Sequence, residues 1–370
     1  MKVNSYEIVS QSDQLEAAIQ GMDGLSAISL DTESNSRHRY PEQLCLIQIY
    51  AGRKVHIIDT INLHELTPLQ SVLSDNSIQK IIHGADYDIR CLDRHHGLHV
   101  RNLFDTSIAA RFSGLTEFGL AALIKNLLGV TIVKSERLQQ ADWGRRPLSP
   151  DALDYAASDV HHLMELRDIL EQRLQGLGRT AWVAEECARL EEVRYAAPDF
   201  ANAYLSIKGA QDLDGRALAV LRSLTLFREE EARRQSRPHF FIIPDFALIT
   251  LAVNPTANLA KVQGLGPAGL QHFGKDLQEA LREGQDAPPI QRSTVNHVRL
   301  SPTESSRLNR LKTWRTAQGK KLVLDPSLLW PAASLERLAR TPGSFDNEII
   351  SKSIRRWQRD NFATSIRTCL

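Results

Sequence analysis

Short apolar runs separated by polar or turn residues mark the first half of the chain. Four such runs, at 27–30, 46–50, 55–58 and 79–82, have the length and composition of β-strands. The connections between the first three are short enough for antiparallel neighbours, whereas 118–128 shows the helical spacing of apolar residues. The pattern predicts an α/β domain with a mixed sheet.

The pattern becomes mainly helical after about residue 203. Apolar residues at spacings of three and four predict a long helix over 213–234. The segment 284–294 has the composition of a linker, and helical spacing resumes near residue 308. We therefore predict an α/β domain followed by two small all-α domains. The predicted boundaries are 1–205, 206–288 and 289–370.

Composition narrows the class of protein. The 370 residues are 42% hydrophobic and 24% charged, which is close to the average for soluble globular proteins. The longest apolar stretch, 240–253, is interrupted by Pro244 and Asp245 and is shorter than the roughly 20 residues of a membrane span. The first ten residues contain no apolar run of the kind a secretory signal needs. We expect a cytoplasmic protein that does not contact a membrane.

Charge is unevenly distributed along the chain. Residues 1–207 contain 20 basic and 28 acidic residues, a net charge of −8, whereas residues 291–370 contain 15 and 6, a net charge of +9. Such asymmetry indicates an acidic part that holds cations and a basic part that meets polyanions. Ordinary solvated surface gives the same totals, so charge alone leaves both interpretations open.

Two carboxylates follow the first predicted strand, two positions apart. Strand geometry points the side chains of Asp31 and Glu33 to the same face. Neighbouring acids repel each other unless a cation lies between them, and hard divalent cations prefer oxygen ligands. The pair indicates a cation site, although a solvated strand end has the same pattern.

Further candidates lie on predicted helices. Ser149 and Pro150 predict a helix that begins near Pro150, and this helix places Tyr155 and Asp159 on one face. A further acid, Asp88, follows the fourth predicted strand. The alternatives are a tyrosine–aspartate hydrogen bond at a helix surface and a helix cap at Asp88.

Together the three segments resemble the DEDD superfamily of 3′-5′ exonucleases, in the branch with a tyrosine, and within it the ribonuclease D family. The resemblance covers about residues 5–195. It departs from the family pattern at Ser34-Asn35-Ser36, where many members carry an aromatic residue after the glutamate. The residues that match the first, second and third motifs are Asp31 and Glu33, then Asp88, then Tyr155 and Asp159.

The resemblance implies a ribonuclease H-like fold and catalysis with two divalent ions per active site, either Mg²⁺ or Mn²⁺. By motif, Asp31 contacts both ions, and Glu33 and Asp159 complete the binding of one. Asp88 holds the second ion, and Tyr155 orients the attacking water. The presence of all four acids and the tyrosine argues against an inactive protein.

The helical remainder resembles the helicase-and-RNase-D C-terminal (HRDC) domain. Residues 208–285 match best, and the last 80 residues resemble a second, divergent copy. Basic residues beside a tryptophan near the chain end suit phosphate contact with base stacking, but they also fit an amphipathic helix with its tryptophan in the core. The candidate RNA-binding residues are Arg355, Arg356, Trp357 and Arg359. We interpret the cluster of Glu185, Glu186, Glu191 and Glu192 as a solvated helix face.

The resemblance predicts a metal-dependent 3′-5′ exoribonuclease that trims structured RNA precursors, such as tRNA 3′ ends, and releases nucleoside 5′-monophosphates. The sequence leaves open a single-stranded DNA exonuclease of the same branch and an inactive nucleic-acid-binding scaffold. No strand precedes the glycine motif at 264–269, so no nucleotide cofactor is expected. We expect a monomer whose partner is RNA.

Overall fold

The computed structural model describes residues 6–132, 135–291 and 299–370. Its strands are β1 (Tyr6–Val9), β2 (Ala27–Ser34), β3 (Leu44–Tyr50), β4 (Val55–Asp59), β5 (Gln79–Ile82) and β6 (Leu103–Asp105). The α-helices that accompany the sheet are α1 (Ser12–Gln20), α2 (Gln70–Leu73), α3 (Asp86–His96), α4 (Thr106–Phe112), α5 (Leu120–Leu123), α6 (Glu136–Gln139), α7 (Pro150–His161), α8 (Leu163–Gly176) and α9 (Thr180–Glu191). The later helices are α10 (Gly215–Gln235), α11 (His239–Ile242), α12 (Asp245–Val253), α13 (Pro267–Asp286), α14 (Pro302–Leu322), α15 (Pro326–Leu329), α16 (Ala332–Arg340), α17 (Phe345–Ile349) and α18 (Arg356–Arg367).

The six strands form one mixed sheet in the order β1-β4-β3-β2-β5-β6. Strand β3 pairs antiparallel with β2 and β4, and the other neighbours are parallel. The predicted mixed sheet is therefore confirmed. The outer strands β1 and β6 were not predicted, because runs of four and three residues are too short to show a strand pattern.

Strand β2 and helix α7 place the candidate residues at the middle of the sheet. The strand lies between β3 and β5, and its pairing with β3 becomes irregular between Glu33 and Ser34. Helix α7 begins as predicted, because the Ser149 hydroxyl accepts a hydrogen bond from the Ala152 amide at 3.2 Å. Its apolar face, which includes Val160, packs against β3 and β4. The opposite side of the helix is left for polar side chains.

Helices α10 to α13, which we call the first helical domain, have an apolar core of their own. The domain contacts the loop after β2, where the Tyr40 hydroxyl donates to a Glu229 carboxylate oxygen at 2.7 Å and its ring centroid lies 4.3 Å from that of His239. The first helical domain is therefore fixed close to the strand that carries Asp31 and Glu33. None of the helices in the described ranges is both long and apolar enough to cross a bilayer.

The predicted linker at 284–294 is wrong at its start, because α13 continues to Asp286. Gly284 does not end the helix. A Cβ atom at this position would lie 2.6 Å from the Cα atom of Val220, so glycine allows α13 to approach α10 closely. Residues 292–298, which include the end of the predicted linker, lie outside the described residues.

Helices α14 to α18, the second helical domain, share one continuous apolar core with the α/β domain. The rings of Trp357 and Trp182 stack with centroids 4.7 Å apart, and Phe112 meets Trp357 edge-on at 5.3 Å. The Arg179 guanidinium donates to the backbone oxygens of Phe112 at 2.7 Å and Leu322 at 2.5 Å. The second helical domain therefore completes the core of the α/β domain.

Ending the chain after residue 205 should destabilise the α/β domain. The cut exposes the Trp182 and Phe112 rings, and loss of that burial costs at least about 3 kcal/mol, which lowers the melting temperature by at least about 6 °C. Thermal unfolding of the 1–205 fragment and the full chain measures the difference. A 1–291 fragment, which keeps the first helical domain, should have its melting temperature lowered by as much as the 1–205 fragment. A 1–205 fragment as stable as the full chain would refute the shared core.

Candidate active site

Three carboxylates meet at the end of β2. Asp31 and Glu33 leave the strand on one face, and Asp159 reaches them from α7. One oxygen from each side chain lies within 4.8 Å of one from each of the others. The structure thus brings together residues from the first and third predicted motifs, far apart in sequence.

The fourth acid, Asp88, lies in the first turn of α3 and is 6% exposed. It accepts a hydrogen bond from the Thr32 hydroxyl at 2.5 Å. It lies outside the cluster of three, yet close enough for its charge to raise the pKa of both Asp31 and Glu33. The four acids therefore form one electrostatic unit with Asp88 at its edge.

Burial and mutual repulsion favour the protonated forms of these acids. Burial first, and then the charges of Asp88, Asp159 and Glu33, raise the pKa of Asp31 well above its ordinary value. Burial and the neighbouring aspartates raise the pKa of Glu33 to about 9. Burial also raises the pKa of Asp88 and of Asp159 to about 7, although hydrogen bonds from Thr32 and Tyr155 act in the opposite direction.

No lysine, arginine or histidine within the described ranges forms an ion pair with any of the four acids. Within the described residues, their negative charge is therefore not compensated by an ion pair. An all-oxygen donor set with excess negative charge suits a hard divalent cation, which binds carboxylates and lowers their pKa values. These residues fit the divalent metal dependence that the sequence resemblance implies.

Tyr155 presents its hydroxyl group to the same cluster. It lies within hydrogen-bonding reach of Asp159 and Gln139, and its ring centroid is 6.1 Å from that of Trp143. Burial, together with the charges of Asp159 and Glu33, raises the pKa of the phenol above its usual value. Tyr155 is therefore a neutral phenol at neutral pH.

A pocket of about 440 Å³ opens beside this hydroxyl group. Its lining includes His83, Gly119, Leu120, Tyr155 and Asp159. The volume falls in the range of sites that hold one small ligand. The pocket therefore brings a bound group next to both Tyr155 and Asp159.

Sequence reasoning missed two side chains of the site. Thr32 fixes Asp88, and Gln139 contacts Tyr155. Thr32 lies between the two acids of the first motif, so the sequence indicates that it is near the site. The sequence does not indicate that its hydrogen-bond partner is Asp88. Gln139 belongs to α6, a helix of four residues that carries no detectable periodicity.

The structure places two of the predicted RNA-binding residues at the interface between the α/β domain and the second helical domain. Trp357 is 4% exposed and stacked on Trp182, so its face is not available to a base. Arg355 donates to Glu186 at 3.1 Å and so belongs to the domain interface. Arg356 and Arg359 are more exposed and remain predictions; each lies within 3.5 Å of Asp360.

The expectation of a fully solvated glutamate face on α9 is also wrong. The Glu185 carboxylate accepts hydrogen bonds from the first backbone amides of α18, from Arg356 at 2.6 Å and Trp357 at 2.9 Å. The Glu186 carboxylate accepts from the indole Nε1 of Trp357 at 2.9 Å. Both glutamates thus satisfy groups of the second helical domain, which a sequence pattern on α9 alone does not reveal.

The raised pKa values predict an unusual pH dependence of stability in metal-free protein. Acids whose pKa is higher in the folded state stabilise the fold below their unfolded values of about 4, and that stabilisation is lost as pH rises through the folded values. For Asp88 and Asp159, the loss falls between about pH 4 and 7, because their unfolded pKa is about 4 and their folded pKa is about 7.

Thermal unfolding in chelator should therefore show a melting temperature several degrees lower at pH 8 than at pH 5, and Mg²⁺ should remove the difference. Asp31→Asn should flatten the pH dependence, because it removes one of the repelling charges. A melting temperature that rises with pH in chelator would contradict the repulsion among these acids.

Two family models match the chain. Residues 6–175 match a 3′-5′ exonuclease family, and residues 217–281 match the HRDC domain. The first match contains all four acids and Tyr155, and the second lies within the first helical domain.

Curated relatives extend the similarity to nearly the whole chain. Ribonuclease D of Granulibacter bethesdensis is 30% identical over 369 residues, which cover 97% of this chain and 91% of the relative. Ribonuclease D of a Shewanella species is 32% identical over 312 residues, which cover 83% of this chain and 79% of the relative. The crystal structure of Escherichia coli RNase D has the same fold, with a TM-score of 0.75 at 24% identity, and the match covers 99% and 98% of the two chains.

Proposed function

Because this chain belongs to the ribonuclease D family of 3′-5′ exoribonucleases, we propose that its four clustered acids bind two divalent cations for hydrolysis of the terminal phosphodiester. The observation that carries the proposal is the half-buried carboxylate cluster, which has raised pKa values and no ion-paired cationic side chain among the described residues. When bound, such cations neutralise charge on the attacking and leaving oxygens and lower the pKa of bound water.

The geometry supports unequal roles for the four acids. Asp31, Glu33 and Asp159 lie close enough together to hold one cation, and Asp31 also faces the charge of Asp88. Asp31 would help to hold both cations, and Asp88 would help to hold the second. Thr32 keeps the Asp88 carboxylate at the edge of the cluster.

Tyr155 orients the water that attacks phosphorus. A neutral phenol next to Asp159 donates or accepts a hydrogen bond without adding charge to a site that is already strongly negative. The Gln139 side chain lies within hydrogen-bonding reach of the same hydroxyl group and limits its rotation. Attack by water on phosphorus breaks the bond to the 3′ oxygen and releases a nucleoside 5′-monophosphate. The pocket of about 440 Å³ holds that terminal nucleotide.

We further propose structured RNA precursors, including tRNA with 3′ extensions, as substrates. The E. coli protein of the same fold is described as an exoribonuclease involved in structured RNA processing. The net charge of +9 over residues 291–370 supports a large polyanionic partner. One chain supplies the whole acidic cluster, which supports action as a monomer.

The test assays the purified full chain on three substrates, which are 3′-extended tRNA, unstructured RNA and single-stranded DNA. We expect stepwise release of nucleoside 5′-monophosphates from both RNAs with Mg²⁺ or Mn²⁺, none in chelator, and faster trimming of the tRNA extension than of the DNA. Preference for DNA would favour the alternative of a single-stranded DNA exonuclease. Internal fragments, or cleavage that persists in chelator, would refute the proposed chemistry.

A further inference from the structure

A groove of about 470 Å³ follows the seam between the α/β domain and the second helical domain. One wall is formed by α4 and α9, and the other by residues of the second helical domain near Pro331 and Ser353. The groove is distinct from the pocket that contains Tyr155, because the two share no lining residue. Both of its walls are held in place by the stacked tryptophans of the shared core.

The groove is strongly basic. Four of its lining residues carry positive charge, and Glu186 is the acidic residue among them. Arg355 is already paired with Glu186. The other three form no ion pair within 4.0 Å among the described residues. Hydrogen bonds from Ser327, and to a smaller extent the nearby charge of Arg111, lower the pKa of Asp325. These remaining basic residues are Arg111, Arg189 and Lys352.

An exposed aromatic ring lies next to one lining residue of this groove and one of the active-site pocket. The Arg111 guanidinium, which lines the groove, lies 5.5 Å from the centroid of the Phe118 ring. Phe118 is 43% exposed, and the next residue, Gly119, lines the pocket beside Tyr155 and Asp159. A strand that runs from the pocket to the basic groove on this side would pass Phe118.

We propose that the seam groove binds the phosphates of the RNA strand upstream of its 3′-terminal nucleotide, and that Phe118 stacks on a base between pocket and groove. The inference rests on the proposed function, because it takes the pocket as the place of the 3′ end. Unpaired cations in a groove give phosphate contacts, and an exposed aromatic face accepts any base. Phe118 supplies an aromatic surface that Ser34-Asn35-Ser36 does not.

The first helical domain has an acidic groove, opposite in charge to the seam groove. The groove between α10 and α13 is lined by Glu230, Glu231, Asp276, Glu279 and Glu283, with Arg234 beside them. Phosphates are repelled by such a surface. The RNA strand is therefore expected to bind in the seam groove beside the second helical domain, and not on this face of the first helical domain.

The test compares a groove variant, Arg189→Gln with Lys352→Gln, with a matched control, Lys312→Gln with Lys320→Gln. The control removes the same charge from exposed positions of α14 outside the groove. Affinity for unstructured RNA of about 12 nucleotides, a length typical of single-strand binding sites, is measured in chelator across a salt series.

The groove variant should bind about tenfold more weakly at low salt, and its log–log salt slope should fall by about 1.4, because each lost phosphate contact removes about 0.7 on single strands. The loss should shrink for RNA of about 3 nucleotides, which ends near Phe118. The control should keep the affinity and slope of the parent.

Phe118→Ala should raise KM for the longer RNA by about tenfold, as loss of one stacked base does, and Phe118→Tyr should restore it. If the groove variant and its control bind RNA equally at every length and salt concentration, the groove does not hold RNA. If the parent itself releases no nucleotides from RNA, the proposed function fails instead, so the two failures are distinguishable.

Discussion

Asp31→Asn should lower the rate of RNA cleavage by at least about 10³-fold, because several kcal/mol of charge stabilisation depend on cations that this carboxylate helps to bind. The charges of Glu33, Asp88 and Asp159 all raise the pKa of Asp31, after burial. Removing its charge therefore weakens cation binding at both proposed positions. Single-turnover cleavage of 3′-labelled RNA at saturating Mg²⁺ measures the loss.

The Asp31→Asn protein should stay folded, since the change removes repulsion between neighbouring acids. Its melting temperature in chelator should equal or exceed that of the parent. Asp86→Asn is the matched control: Asp86 lies on the same helix as Asp88, is exposed and pairs with Arg90. The control should cleave at the parental rate. Cleavage by Asp31→Asn within about tenfold of the parent would refute its role in catalysis.

Tyr155→Phe should slow the chemical step by roughly 10²-fold while RNA binding and metal binding stay close to those of the parent. The ring contact with Trp143 is retained, so the helix should keep its position. Only the hydroxyl group beside Asp159 and Gln139 is lost. Single-turnover rates and RNA affinity, measured on the same preparation, separate the two effects.

Tyr50→Phe provides the control for Tyr155→Phe. The Tyr50 hydroxyl donates to the backbone oxygen of Gly52 at 2.9 Å at the end of β3, and it does not line the active-site pocket. We expect full activity from this variant. An unchanged single-turnover rate for Tyr155→Phe would reduce Tyr155 to a structural residue.

The central strands and the helix with Tyr155 could be predicted because their signals are local. Strands β2 to β5 are apolar runs between turn residues, and α7 begins with a serine cap and Pro150. The edge strands β1 and β6 were missed because their length gives no pattern. Gly284 illustrates the other limit: a glycine in a polar segment indicates a linker, but here it permits close helix packing.

The candidate acids could be named from sequence because each lies at the end of a strand or on one helix face. The role of Trp357 could not be decided in the same way. A basic stretch with one tryptophan fits either RNA contact or a core helix, and the outcome depends on Trp182 and Glu186, which are remote in sequence. Thr32 and Gln139 were missed for the same reason, since their partners come from other segments.

Binding of Mn²⁺ to the full chain in the presence of a nucleoside 5′-monophosphate tests the acidic cluster most directly. The electron paramagnetic resonance signal of free Mn²⁺ reports the number of ions bound. We predict two bound ions per chain for the parent and for Tyr155→Phe, and loss of both tightly bound ions in Asp31→Asn. Equal Mn²⁺ binding by the parent and Asp31→Asn, or a parent that binds none, would contradict the assignment of these four acids as the metal ligands.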